Sequence, residues 1–144
     1  SVFDLEAIGR GLPAASLVPR LAESCASGPL RAVVEAPPGT GKTTVVPPAV
    51  ANLVSGRVVV TQPRRVAARA AADRLADLSG ERVGLAVRGE HRRGDRVEFA
   101  TTGVLLRRLL SDPELSGIDA VVMDEVHERA LESDPVSYTH LRAH

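Results

Sequence analysis

Aromatic side chains are nearly missing from this chain, which has no tryptophan, two phenylalanines (Phe3, Phe99) and one tyrosine (Tyr138) in 144 residues. A platform of interleaved aromatics for stacking bases is therefore excluded, and any core has to be assembled from Ala, Val and Leu. The single cysteine, Cys25, has no partner for an internal disulfide and reads as a small core residue. No apolar run reaches the length of a membrane span or a secretory h-region, so the expected setting is the cytoplasm, with no membrane partner. With 44% hydrophobic residues, 144 positions suit one modest domain and are too few for two.

Lysine is scarcer than any of these residues should lead one to expect. Of 18 Lys+Arg residues the only lysine is Lys42. It stands in Ala36-Pro37-Pro38-Gly39-Thr40-Gly41-Lys42-Thr43-Thr44, after the apolar run Ala32-Val33-Val34 and before a helix-like segment. A phosphate-binding loop needs successive backbone N–H groups turned inward, which small residues such as Gly39 and Gly41 permit. In that reading Pro38, Gly39, Thr40, Gly41, Lys42, Thr43 and Thr44 form the phosphate-binding loop and its exit. Lys42 reaches the outer phosphates, and the Thr43 hydroxyl meets Mg²⁺ at the positive end of a helix. A compact ammonium enters such a cradle where a planar guanidinium fits badly. Ala36 replaces the first glycine of the strict loop pattern, and the plain alternative is a Gly/Pro-rich surface turn.

Around the loop the chain alternates short β-branched runs with Ala/Leu-rich segments, the pattern of a parallel α/β sheet. Strands are expected at residues 31–35, 57–61, 83–87 and 97–101, and again over the apolar run from Ile118 to Met123. Pro47-Pro48 falls in the second turn of the helix after the loop, where a kink or early stop is expected. A helix over residues 64–78 should bury Ala67, Ala71, Leu75 and Leu78. A later one should bury Leu105, Leu106, Leu109 and Leu110. His91-Arg92-Arg93 reads as a mobile basic loop.

Net charge is zero, yet residues 57–108 carry twelve basic against six acidic groups and residues 109–134 one against eight. Solvated helix faces account for many of these charges. Others are placed for function. Arg64 and Arg65, after Pro63, open a helix against its own dipole, a conflict that an anion would relieve. Thr102, in Thr101-Thr102-Gly103, is either a helix N-cap or a phosphate contact, since both roles use a strand-to-helix junction. Asp124 and Glu125 follow an apolar strand, with Asp124 82 residues beyond Lys42. There Asp124 would hold Mg²⁺, and Glu125 would orient and deprotonate the water that attacks a γ-phosphate. His140 and His144 are too isolated to read as a metal site.

Taken in order, these segments resemble the DEAH-box branch of superfamily 2 helicases, and most closely the bacterial HrpB-type ATP-dependent helicases. Residues 36–44 match motif I, 61–65 motif Ia, 101–105 motif Ib and 124–129 motif II, with Val87-Arg88-Gly89-Glu90 between. Val126 replaces the alanine that names the group. The resemblance implies a P-loop NTPase with a RecA-like parallel sheet flanked by helices. It implies ATP and Mg²⁺ as cofactors, with Lys42, Asp124 and Glu125 catalytic. RNA, or less readily DNA, would be gripped at Pro63, Arg64, Arg65, Thr101, Thr102 and Gly103. His127 and Arg129 would couple nucleotide state to a second RecA-like domain that contributes arginines.

The domain is expected over residues 12–134, after a leading segment of residues 1–11. It is expected to be incomplete at its carboxyl end, with residues 135–144 a non-matching, unstructured tail. Two other function classes stay open: a small nucleotide kinase, for which a hydrolytic Glu125 has no use, and a nucleic-acid-binding fragment without enzymatic activity.

Overall fold

Runs such as Val58-Val59-Val60 are apolar on both faces, so each strand must be covered by helices above and below. The computed structural model describes residues 3–17, 19, 30–35, 41–123 and 139–142. Its elements are α1 (Leu5–Gly9), a 3₁₀ turn (Pro13–Leu17), β1 (Leu30–Glu35), α2 (Lys42–Leu53), β2 (Arg57–Gln62), α3 (Arg65–Ser79), β3 (Gly84–Val87), β4 (Glu90–Arg92), β5 (Val97–Thr101), α4 (Thr102–Ser111), β6 (Ile118–Met123) and β7 (Thr139–Arg142). The strands form one seven-stranded sheet in the order β4-β3-β5-β2-β6-β1-β7. Every pairing is parallel except that of β3 with β4.

Alternation along the strands builds two cores. Val58, Val60, Val97, Phe99, Ala120 and Val122 face one side, where they meet Val45, Val46 and Val50 of α2 and Ala68, Ala72 and Leu75 of α3. Phe3 and Ile8, from the leading segment, join this core, and the Asn52 side chain exchanges two hydrogen bonds with the Phe3 backbone, at 3.0 and 2.9 Å. Val59, Ala86 and Ala100 face the other side and meet Leu105 of α4.

Several expectations change in three dimensions. Pro47 and Pro48 lie inside α2, which neither stops nor shortens there. A proline costs a helix interior about 3 kcal/mol, but Val45, Val46, Ala49, Val50 and Ala51 are all buried to 1% exposure or less. Each buried valine returns about 1.5–3 kcal/mol, so tertiary packing overrides propensity. The buried stripe of α3 runs through Ala68, Ala72 and Leu75, rotated one residue from the expected one, and Leu78 is exposed. On α4 only Leu105 is fully buried, with Val104 and Leu109 beside it, and Leu106 and Leu110 are exposed. One helix lying on a sheet face covers only the side that meets it.

The basic loop is also more ordered than its composition suggests. Residues 90–92 form β4, antiparallel to β3, and Arg92 is tied to Asp73 at 2.7 Å and to Glu90 at 3.2 Å. At the far edge, Thr139–Arg142 of the expected unstructured tail form β7 beside β1. A β1 edge presents unpaired N–H and C=O groups, and a short extended segment satisfies them whatever its side chains.

Candidate nucleotide and nucleic-acid site

The site is assembled at the carboxyl ends of the strands, where ligands collect in open α/β sheets. β6 lies between β1 and β2, with Met123 in register with Val33 on one side and Thr61 on the other. The chain following β1, which is the phosphate loop in sequence, and the chain following β6, which begins Asp124-Glu125, thus leave adjacent strands at one edge. Residues 36–40 of the loop and Asp124, Glu125, His127 and Arg129 lie outside the described residues, as does the Lys42 side chain.

What is described of the loop is its exit. Gly41 is the N-cap of α2 in the left-handed region, at φ +83°. The positive φ favours glycine, and a Cβ there would stand 2.7 Å from Leu12 Cδ1, so the Leu12 side chain would have to shift to admit one. No side chain caps this helix, and its first turn holds no acidic residue. The Thr44 and Val45 N–H groups turn back to the Gly41 carbonyl, at 3.0 and 2.9 Å, and the positive dipole end of the helix favours an anion. Thr43 is half-buried in the first turn. Thr44 is buried, and its hydroxyl accepts a hydrogen bond from Arg74 Nε of α3 at 3.2 Å. Arg74, which sequence reading passed over as one more helix arginine, therefore sits against the phosphate-loop helix.

Two strands further along, the basic motifs come together. Gln62 at the end of β2 is in register with Thr101 at the end of β5. Pro63, Arg64 and Arg65 on one side and Thr101, Thr102 and Gly103 on the other consequently form one surface. Arg64 is the N-cap of α3 and Thr101 that of α4, and neither side chain makes a capping bond. Thr102, read as the possible cap, is the first helical residue. Pro63, Arg64, Arg65, Thr102 and Gly103 are all exposed. Two uncapped helix starts side by side, one flanked by arginines, offer unpaired N–H groups to phosphates.

β3 ends at the same edge beside β5, and Arg65 Nη1 donates to the Arg88 carbonyl at 3.2 Å. This brings Arg88, exposed at the β3–β4 turn, next to motif Ia. Its position directly after an apolar strand was the signal that could have marked it. Ion pairs hold this hairpin to α3, Arg69 with Glu90 and Asp73 with Arg92, both at 2.7 Å, and Arg92 also pairs with Glu90 of its own strand. The hydrogen bond from Arg92 to Asp73 raises the pKa of its guanidinium further, keeping it charged. Among the described residues no group of His, Cys, Asp and Glu is clustered to hold a metal, and no helix is long and apolar enough to cross a membrane.

The family model described as "DEAD/DEAH box helicase" matches residues 20–142 of the chain. The chain belongs to the DEAD/DEAH box helicase family. It is 39% identical over 131 residues to the ATP-dependent RNA helicase HrpB of Escherichia coli (strain K12), covering 85% of this chain and 16% of that protein. With the DExH-box ATP-dependent RNA helicase DExH1 of Arabidopsis thaliana it shares 37% over 147 residues, covering 93% of this chain and 15% of that protein. The crystal structure of the Escherichia coli DEAH/RHA helicase HrpB superposes with a TM-score of 0.76 at 33% identity, over 93% of this chain and 20% of that one. This DEAD/DEAH box helicase chain thus spans a fifth or less of the length of each of these relatives, and the α/β, RecA-like P-loop fold expected for it is the fold observed.

Proposed function

We propose that this chain is the amino-terminal nucleotide-binding domain of a cytoplasmic ATP-dependent RNA helicase of the HrpB type. Residues 12–134 would form the body of the RecA-like domain, to which the leading segment adds Phe3 and Ile8 in the core and residues 139–142 add β7 at the sheet edge. The observation that supports the reading is the insertion of β6 between β1 and β2, which makes neighbours of the two strands that precede motifs I and II in sequence.

The described residues fit Mg-ATP. Gly41 turns in the left-handed region that favours glycine, and the first turn of α2 holds no acidic residue to compete with a phosphate. Backbone N–H groups of Gly39, Thr40 and Gly41, next to Pro38, and the Lys42 ammonium would take the phosphates. Thr43 and Asp124 would hold Mg²⁺, which when bound neutralises phosphate charge. Glu125 would orient and deprotonate the attacking water. RNA would run along the same edge by its backbone, past Pro63, Arg64, Arg65 and Arg88 to Thr101, Thr102 and Gly103. His127 and Arg129 would report nucleotide state to a second RecA-like domain. That domain supplies the arginines that make hydrolysis fast, so these 144 residues alone bind Mg-ATP and turn it over slowly.

Titrating a fluorescent ATP analogue with Mg²⁺ into the chain and into Lys42→Ala tests the assignment. Saturable binding lost in Lys42→Ala supports it. Equal affinity of the two proteins would remove the phosphate loop from the site.

A further inference from the structure

At the opposite edge of the sheet, where β2, β5 and β6 begin, lies a pocket of about 310 Å³. Arg57, Arg93, Arg96 and Arg108 line it, against Glu98 and Asp112. Most of these charges are already committed. Arg96 donates to the carbonyls of Ala51, Val54 and Gly56, at 2.6, 2.5 and 3.1 Å, which satisfies the cation demand of the α2 carboxyl end. Arg108 pairs with Glu98 Oε1 at 2.6 Å, and Asp112 accepts from the Ser116 backbone at 2.8 Å. Arg57 and Arg93 remain, both exposed and without an ion pair among the described residues. Glu98 is itself buried, and its second oxygen has only His91 Nε2 for company, at 3.9 Å, beyond hydrogen-bond range.

We infer that this pocket is a second ligand site, for a small phosphate ester of nucleoside monophosphate size. Arg57 and Arg93 supply the unpaired positive charge for the phosphate. Glu98 Oε2, its charge balanced by Arg108, accepts a hydrogen bond from a hydroxyl or amino group elsewhere on the ligand. The volume lies at the small end of the range for ligand pockets, roughly 300–1,000 Å³. It is a pocket rather than a track, and it opens at the end of the sheet away from the proposed RNA path, which favours a small ligand over a polymer.

The test titrates AMP and inorganic phosphate into Lys42→Ala without Mg²⁺ and, separately, into the native chain saturated with Mg-ADP, so that the phosphate loop cannot account for binding. Binding is followed by amide chemical shifts. The expected result is saturable AMP binding, about tenfold weaker for each of Arg57→Glu and Arg93→Glu, in variants whose circular dichroism is unchanged. Inorganic phosphate binds more weakly than AMP, and Glu98→Gln narrows that gap. Absence of saturation in both protein forms, or AMP affinity indifferent to Arg57 and Arg93, would overturn the inference. So would RNA binding that depends on these two arginines while AMP binding does not.

Discussion

Gly103 occupies the second position of α4, where glycine is a poor helix former and where an added Cβ would meet no other part of the protein within 4 Å. The fold therefore has no need of glycine there. Gly103→Ala should stabilise the chain by about 0.5–1 kcal/mol, through helix propensity and the lower entropy of the unfolded chain. At roughly 2.1 cal/mol/K per residue, 144 residues give an unfolding entropy near ~0.3 kcal/mol/K, so Tm should rise about 2–3 °C. If the uncapped start of α4 grips an RNA phosphate, the same methyl group stands between them. Loss of one N–H bond to a charged oxygen costs about 1.5–3 kcal/mol, so RNA affinity should fall about tenfold or more. Thermal unfolding by circular dichroism and RNA binding by fluorescence anisotropy read the two effects separately. A variant that is more stable and binds RNA as well as the parent would refute a backbone contact at Gly103. A fall in Tm would instead reveal a clash that the geometry does not contain.

Arg96→Ala leaves three carbonyls without their shared donor and should cost about 3 kcal/mol, or about 10 °C in Tm; the exposed neighbour Arg93→Ala should stay within ~0.5 kcal/mol of the parent. Gly94→Ala places a Cβ 2.1 Å from the Gly84 backbone nitrogen, forcing two backbones apart at a cost of about 3 kcal/mol, and hydrogen exchange should show β3 and β4 opening first. For Arg64→Ala and Arg65→Ala, RNA affinity should fall similarly for all sequences and each salt slope should drop by about 1. A slope unchanged in both would mean that neither arginine meets a phosphate.

Two local features beside the candidate site were legible because each has a local cause. Gly41, read as a small residue that frees the loop backbone, takes positive φ at the exit of the loop, and Arg64 and Arg65 stand at the start of α3, against its dipole, as read. Burial was harder to read. Leu106 and Leu110 follow helical spacing as well as Leu105 and Leu109 do, and only the position of α4 on the sheet decides which pair is covered. Pro47 and Pro48 obey the local rule against helix interiors until the packing of α2 outweighs it. Arg96, an unremarkable basic residue in sequence, closes three carbonyls only because the end of α2 and the start of β2 are folded against β5.

The sequence by itself determined the kinds of element and the chemistry at their ends: apolar strands of five or six residues, a glycine-rich exit into a helix carrying the only lysine, and paired acids after the last long strand. Tertiary structure alone decided adjacency. β1 and β2 are consecutive in the chain but not paired, because β6, more than fifty residues further on, is inserted between them. Parallel pairing depends on crossovers and buried faces rather than on neighbouring residues, so only the folded sheet puts Met123, the residue before Asp124, beside Val33 of the strand that leads to the loop, and Thr101 beside Gln62.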